Sequence, residues 1–274
     1  MSDLDPRFPT AEGTALQVGH FDGVDSTEEP GRYVEWMDHQ RGSHRDHALA
    51  ELELSRTDVV LDIGCGTGVD LHALADVTRL AVGIDLSMTM AAAARSRAPN
   101  AAVVVGDAQR LPIASGALDA CCARAVLIHT PDPDAAMREM ARVLRPGGRL
   151  ALSEPDHGSH IVATTVPDVF ERIKRHRQTK FRHPLVGRTL PDLAIGAGFD
   201  ITKTWATPIV HTSLSSARAA GGPFDQAVTD AVTEGAVTRA EARAYIASLV
   251  EADERRGFLF AALAVSVVAV KRSA

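Results

Sequence analysis

A stretch of ten residues, Val59–Gly68, limits most strongly what this chain can fold into. It begins with the apolar run Val59–Ile63, whose β-branched valines predict a buried strand of a parallel sheet. Glycines then alternate with single residues, and a helical pattern follows over Val69–Val77. Strand, glycine turn and helix form the first βα unit of a doubly wound sheet, which binds its ligand at this turn. The predicted fold class is therefore α/β, with a Rossmann-like sheet.

The spacing of the glycines distinguishes between kinds of nucleotide site. A dinucleotide fingerprint requires a further glycine three residues after the second, and this chain has Val69 there. The pattern is instead Asp62-x-Gly64-x-Gly66-x-Gly68, with an acid at the end of the strand. A nicotinamide-dependent oxidoreductase is therefore disfavoured, although clear NAD binding would restore it as a candidate.

A second acid follows at the end of the next strand. Leu80–Asp85 predicts another buried strand, and Asp85 lies 23 residues beyond Asp62. At this place in a doubly wound sheet, an acid holds the hydroxyls of a nucleoside ribose. The structural alternative is that Asp85 caps the helix predicted over Met88–Arg97. Ser87 can cap that helix itself, which favours the ribose role for Asp85.

The same alternation of strands and helices continues along the chain. The Pro-Gly-Gly turn at 146–148 ends one helix and begins the next strand. Helices are predicted at Gly31–Leu54, Ala135–Leu144 and Leu190–Ala197, and from the capping box Thr238–Glu241 to Asp253. Further strands are predicted at Ala102–Val105, Ala117–Ala123, Arg149–Ser153, Phe199–Thr207 and Leu259–Val270.

Taken together, the motifs resemble those of the class I S-adenosylmethionine (SAM) dependent methyltransferases. The likeness is to the "methyltransferase 11" type, which includes ubiquinone- and menaquinone-biosynthesis-like enzymes. It covers residues 30–274, is strongest over 59–154, and is carried by Asp62–Gly68, Leu127–Pro133 and Val143–Leu150. It implies a seven-stranded, mostly parallel sheet with helices on both faces, whose last strand runs antiparallel between the fifth and sixth.

The resemblance also implies a domain organisation and a cofactor. A single domain is expected over 31–274, with cap segments near 155–186 and 210–256, after a flexible arm over 1–30. SAM is the implied cofactor; Asp107 would accept from the adenine amino group, and Gly106 would let the chain approach the flat base. The cofactor-binding residues implied are Arg45, Asp62, Gly64, Cys65, Gly66, Gly68, Asp85, Leu86, Met90, Gly106, Asp107, Ala108 and Arg124.

Two histidines are the candidates for catalysis. His129 and His157 are both predicted to follow the carboxyl end of a strand, where a general base could remove a proton from the methyl acceptor. His129 could instead only organise its loop, and His157 could simply line the pocket. His157 stands where a subgroup of the family has Trp in an E-P-D-W-G pattern. A divalent ion held by Glu154, Asp156, His157 and His160 is a weaker alternative, and no metal site is predicted.

Composition and hydropathy limit the kinds of partner that this chain is expected to bind. With a net charge of −6 and no interleaving of basic and aromatic residues, no nucleic-acid partner is expected. The longest apolar run, Phe258–Val270, has 13 residues, fewer than the ~20 needed to cross a bilayer, so no membrane partner is expected either. Cys65, Cys121 and Cys122 do not suggest a disulfide framework and are expected to be small buried hydrophobes. A cytoplasmic location is therefore predicted.

These observations predict an enzyme that transfers a methyl group from SAM to an O, N or C atom of a small molecule, such as a secondary metabolite or a quinone-like compound. The alternative is a SAM-binding protein that no longer transfers methyl and serves as a partner subunit or uses SAM structurally. A basic run over 172–182 is either a solvated helix face or a recruiter of an acidic acceptor. The N-terminal arm could exchange between subunits of a homodimer, and the oligomeric state stays open.

Overall fold

The computed structural model of the chain describes residues 47–273. Their internal contacts divide them into two compact units. The sheet unit comprises residues 47–155, Leu185–Thr207 and residues 264–273, and the helical unit comprises Asp156–Pro184 and Pro208–Leu263. The segments near 155–186 and 210–256 fall largely in the helical unit, and their role as a cap stays a prediction. The arm over 1–30 lies outside the described residues.

The described strands form one seven-stranded sheet in the order β3-β2-β1-β4-β5-β7-β6. The strands are β1 Val59–Ile63, β2 Leu80–Asp85, β3 Ala102–Val105, β4 Leu118–Arg124, β5 Leu144–Val162, β6 Phe199–His211 and β7 Phe260–Lys271. β1 pairs in parallel with β2 and β4, and β3 and β5 extend the parallel set. Backbone hydrogen bonds from Ala163 to Leu259 and from Arg272 to Gly198 show that β7 is antiparallel to its neighbours. The predicted Rossmann-like α/β class is confirmed.

Helices connect the strands, and several begin at the residues that the sequence indicates. The Ser87 side chain accepts from the Met90 N–H, and Thr238 and Glu241 form the predicted capping box. The helices are α1 Val69–Val77, α2 Met88–Arg97, α3 Pro133–Val143, α4 Pro167–Gln178, α5 Leu190–Gly196, α6 Leu214–Ala219, α7 Asp225–Thr233 and α8 Arg239–Glu254, with 3₁₀ turns at His47–Leu52 and Val186–Thr189.

Each unit has its own apolar core. In the sheet unit, β1 is buried along its whole length, as expected for a central parallel strand, and its core includes Val60, Leu71 and Cys65. In the helical unit, α4, α7 and α8 pack around Ile173 and Tyr245. All three cysteines are buried and free, as predicted.

The structure corrects several boundaries. β5 spans Leu144–Val162, far beyond the predicted Arg149–Ser153, so His157 lies inside a strand rather than after one. Its pairing with β4 shifts register between Leu118 and Ala120, and the Pro-Gly-Gly turn lies within this irregular segment. Of the helix predicted over Gly31–Leu54, only residues 47–54 are described, and there the chain forms a 3₁₀ turn.

Candidate cofactor and active site

The glycine turn after β1 uses backbone conformations that other residues rarely adopt. Gly64, Gly66 and Gly68 all have positive φ. A Cβ at Gly64 would lie 2.4 Å from Val126 Cγ2, and one at Gly68 would lie 2.8 Å from Ala94 Cα in α2. The turn therefore requires glycine for its own shape and for close packing on neighbouring elements, before any ligand is considered.

Asp85 ties the glycine turn to the end of β2. One of its carboxylate oxygens accepts from the Gly66 N–H at 2.8 Å, and the other accepts from the Ser87 N–H at 3.0 Å. The residue is 7% exposed. Ser87 caps α2 itself, so Asp85 does not need to serve as the cap.

Asp107 follows β3, and a residue that sequence analysis missed is bound to it. The Gln109 N–H and side-chain amide donate to Asp107 Oδ1 at 2.8 and 3.1 Å, and the amide also lies 3.2 Å from Oδ2. The Gln109 side-chain oxygen accepts in turn from the Asp132 N–H at 3.0 Å. Gln109 thus links the loop after β3 to the loop after β4. Gly106 packs closely on Ile84, whose Cδ1 would lie 2.7 Å from a Cβ there.

These loops surround one cleft in the sheet unit, at the carboxyl ends of the parallel strands, with about 800 Å³ of empty space including its open side. Its walls combine apolar side chains with carboxylates and exposed main chain. The residues predicted to bind cofactor that line it are Gly64, Gly66, Asp85, Leu86, Gly106, Asp107 and Ala108. The residues that the sequence did not single out are Ile63, Ile84, Gln109, Ala125, Val126, Thr130 and Pro131.

The other predicted cofactor residues within residues 47–273 do not line this cleft. Cys65 and Met90 are fully buried, and Gly68 packs on α2. These three residues therefore support the glycine turn and are not part of the cleft wall. Asp62 and Arg124 line a second, smaller cavity together with Asp70, which pairs with Arg124 at 2.6 Å. Arg45 lies outside the described residues.

The loop after β4 is held by a buried acid that the sequence indicated only as part of the E-P-D pattern. Glu154 of β5 is fully buried, and its carboxylate accepts from the N–H groups of Val126, Leu127 and Ile128 at 2.8, 2.7 and 3.3 Å. Burial raises the pKa of Glu154 to about 7, although the three donors act in the opposite direction. Ala125, with φ of 54°, starts the turn. Glu154 therefore sets the path of the loop that carries His129.

His129 lines the cleft. Its own N–H donates to the Val126 carbonyl at 3.0 Å, so its place is fixed by the turn that Glu154 organises. A half-buried imidazole beside two carboxylate-bearing loops can accept a proton, which is the chemistry required of a general base.

His157 belongs to the helical unit. Its ring stacks on Phe181 with centroids 4.2 Å apart, and its Nδ1 lies 2.7 Å from Arg177 Nη1. An arginine can only donate, so Nδ1 accepts and the ring is neutral, with its proton on Nε2. This arrangement weighs against His157 as a general base, because its basic nitrogen is engaged by Arg177.

Two other kinds of site are absent from residues 47–273. Among them, no group of three or more His, Cys, Asp or Glu side chains is arranged to hold a metal ion. Within the same residues, no helix has the length and apolar character that a membrane span requires.

Comparison with known proteins connects this geometry to a family. A family model described as a methyltransferase domain matches residues 61–152. An uncharacterized 37.1 kDa protein in a transposon of Streptomyces fradiae is 37% identical over 58% of this chain and 48% of its own length. A demethylmenaquinone methyltransferase of Mycolicibacterium vanbaalenii is 45% identical over 38% of this chain and 44% of its own length. The chain thus spans less than half the length of these curated relatives.

A solved structure extends the comparison to the fold. The YcgJ protein of Bacillus subtilis is 23% identical, with a TM-score of 0.58, over 83% of this chain and 99% of its own. At this identity the likeness concerns the fold alone. The structural likeness extends over most of the chain, whereas the family model covers only the segment from β1 to β5.

Proposed function

We propose that this chain, which belongs to the class I SAM-dependent methyltransferase family, transfers a methyl group from SAM to a nucleophile of a small molecule by in-line displacement. The observation that carries the proposal is the cleft that brings the glycine turn, Asp85 and Asp107 together. Three consecutive parallel strands supply these groups from their carboxyl ends, the place where doubly wound sheets bind ligands.

The residues of the cleft match the chemical groups of an adenosyl cofactor. Asp85 would hold the ribose, because it lines the cleft at the end of β2 and the two oxygens of a carboxylate match two vicinal hydroxyl donors. Asp107 and the backbone beside it would meet the amino edge of the adenine, and Leu86 and Ile84 provide apolar contact for the base. The two carboxylates also favour a ligand that carries a positive charge.

When bound, SAM supplies an electrophilic methyl group on a sulfonium. The task of the chain is then to hold the acceptor in line with that methyl and to exclude water, and orientation alone can lower a barrier by ~7–11 kcal/mol. We assign His129 as the candidate base for an acceptor that must lose a proton, because it lines the same cleft as the cofactor residues. Glu154 supports that role indirectly by fixing the loop.

Two classes of methyl acceptor fit the proposed chemistry. A relative named demethylmenaquinone methyltransferase supports a quinone-like acceptor as the first class to test. Phenolic secondary metabolites form the second class, because a phenol needs a base and His129 is placed to provide one. The dependence of turnover on His129 separates an acceptor that loses a proton from one that does not.

Calorimetry with SAM tests whether the chain binds this cofactor. Wild type should bind SAM, and Asp85→Ala should bind it at least about 10-fold more weakly, since a hydrogen bond to a charged group contributes about 1.5–3 kcal/mol. Asp76→Ala is the matched control, because Asp76 is an exposed acid on α1. Asp85→Asn, checked by thermal melting, separates a binding defect from misfolding. Failure of wild type to bind SAM would refute the proposal.

Formation of S-adenosylhomocysteine tests whether the chain transfers the methyl group to an acceptor. An acceptor panel of quinols and phenols should include compounds that wild type methylates, and His129→Asn should lower kcat by about 10²-fold or more while SAM affinity stays unchanged. SAM binding without turnover on any acceptor would instead favour the alternative, a SAM-binding protein that no longer transfers methyl.

A further inference from the structure

One cation of the helical unit differs from its neighbours on α4 and the residues just after it. In this basic run, Arg172 pairs with Glu241, Lys174 with Glu171, and both His176 and Lys180 with Glu234. Among the described residues of this run, neither Arg177 nor the exposed Arg175 has an acidic partner, and Arg177 differs from Arg175 because it is half-buried. The Arg177 guanidinium donates to His157 Nδ1 and to the Gly221 carbonyl, each at 2.7 Å. An enclosed arginine without a counter-ion is uncommon, because a buried charge is normally paired.

The contacts of Arg177 hold its guanidinium in one orientation. Cζ lies 5.0 Å from the centre of the Phe181 ring, and Phe181 in turn stacks on His157. Two hydrogen bonds use two of the five N–H groups, so three remain without a partner in the part of the chain that the structure describes. Burial lowers the pKa of Arg177 to about 10, which leaves the side chain charged near neutral pH.

A second polar group nearby is incompletely satisfied. His160 is 6% exposed, and its Nδ1 has no hydrogen-bond partner within the described residues. The ring lies edge-on to His157, with centroids 5.1 Å apart, and edge-on to Phe260 at 5.3 Å. Burial, with smaller contributions from Arg177 and Lys174, lowers the pKa of His160 to about 3, so the ring is neutral and presents one donor and one acceptor.

Aromatic side chains surround these polar groups. Phe224 packs edge-on against Phe260 at 5.2 Å, and His211 stacks on Phe260 at 6.0 Å. A guanidinium with free N–H groups, a buried imidazole and several rings are features that suit a ligand with both a flat apolar part and an anionic group.

We propose that Arg177, positioned by His157 and Phe181, binds the carboxylate of an aromatic acid within the helical unit, with the imidazole of His160 as a second hydrogen-bonding group. This ligand site lies in the helical unit and goes beyond the function proposed for the cleft of the sheet unit. The planar fork of an arginine matches the two oxygens of a carboxylate, whereas a lysine provides only a point charge. His157 is then a positioning residue that orients Arg177, which agrees with its engaged Nδ1.

A matched pair of ligands tests this assignment without requiring turnover. Binding of 4-hydroxybenzoate and of neutral 4-hydroxybenzamide to the full chain is measured by NMR titration, with and without S-adenosylhomocysteine. We expect the acid to bind at least 10-fold more tightly than the amide to wild type, since a charge-assisted bond contributes more than a neutral one. Arg177→Gln should abolish this preference, and Arg177→Lys should keep only part of it.

Arg175→Gln is the control, because Arg175 is an exposed residue of the same helix and the substitution removes the same charge. It should leave the preference for the acid unchanged. Equal binding of acid and amide, absence of acid binding at millimolar concentration, or a preference that survives Arg177→Gln would overturn the assignment. Acid binding that depends on Arg177 in a chain that fails to bind S-adenosylhomocysteine would instead refute the proposed function alone.

Discussion

The two units satisfy their buried polar side chains in different ways. In the sheet unit, Asp85 accepts from the Gly66 and Ser87 N–H groups, and Glu154 accepts from three N–H groups of one turn. In the helical unit, Arg177 donates a hydrogen bond to the His157 imidazole and lies over the Phe181 ring. The Thr164 and Ser248 hydroxyls are hydrogen-bonded to each other. These two acids of the sheet unit thus use main-chain partners, whereas Arg177 and Thr164 of the helical unit use side chains from other elements as well.

This difference determines what each unit tolerates. A carboxylate that holds backbone N–H groups fixes a loop, and the loop in turn demands glycines where the chain turns tightly. Side chains that hold one another can be exchanged in pairs with little change in the backbone. We therefore expect backbone-directed substitutions to be most costly in the sheet unit, and side-chain substitutions in the helical unit to change binding more than folding.

The largest effect is expected for Gly68→Ala. Gly68 has φ of +82°, and a Cβ there would lie 2.8 Å from Ala94 Cα, a backbone atom of α2 that cannot move aside alone. Left-handed strain and overpacking together should lower the free energy of unfolding by roughly 2–5 kcal/mol. Urea denaturation of wild type and variant measures the change.

Gly235→Ala gives the matched comparison in the helical unit. Gly235 also has positive φ, +76°, but nothing lies within 4 Å of a Cβ there. Only the backbone strain remains, and the expected cost is about 1 kcal/mol. Equal losses for the two variants would show that close packing beneath the glycine turn is not what makes the sheet unit sensitive.

The difference between the sheet unit and the helical unit also explains how much of the molecule could be predicted from sequence. The bounds of β1, β2, β3, α1 and α2 agree with the sequence patterns, because apolar periodicity, a glycine turn and a capping serine act locally. The cleft residue Asp85 was found because the topology of a doubly wound sheet fixes where strand ends meet, and Asp107 was found through the resemblance to the methyltransferase motifs. Gln109 was missed, since nothing in a Gln two residues after an Asp indicates that it bridges two loops.

The helical unit was less predictable for a physical reason. Arg177 was one of seven basic residues in a run, and only its partial burial and the positions of Glu171, Glu234 and Glu241 distinguish it from its neighbours. His157 was expected after a strand, but β5 continues past it to Val162. Long-range pairing of side chains depends on how helices pack, which periodicity within one helix does not reveal.

A second prediction concerns the pH dependence that Glu154 gives to the sheet unit. Its pKa in the folded chain, about 7, lies above the ordinary 4.5, so the folded state binds more protons than the unfolded state between these values. The contribution of Glu154 is fully present below about pH 4.5 and is lost as the pH rises through about 7. The free energy of unfolding of wild type, relative to that of Glu154→Gln, should fall by at most about 3 kcal/mol across this window.

Glu139→Gln provides the opposite sign as a control. Its hydrogen bonds with Arg142 hold the pKa of Glu139 below the ordinary value, so its contribution is present at neutral pH and is lost as the pH falls below about 4.5. Denaturation curves at several pH values separate the two. If wild type and Glu154→Gln kept a constant difference from pH 4.5 to 7, Glu154 would be ionised throughout by its three N–H donors.

The smallest effect, and the sharpest distinction between folding and binding, is expected for His160→Phe. Replacing a buried ring whose Nδ1 has no partner in the described residues should raise the free energy of unfolding by about 1 kcal/mol while weakening 4-hydroxybenzoate binding. His211→Phe is the control, because His211 also packs on Phe260 but its Nδ1 bonds to Ser216 at 2.8 Å, so its loss should destabilise by a similar amount. A loss of stability in His160→Phe would show that the imidazole stabilises the folded core. His160 would then have a structural role in the helical unit and not a role in ligand binding.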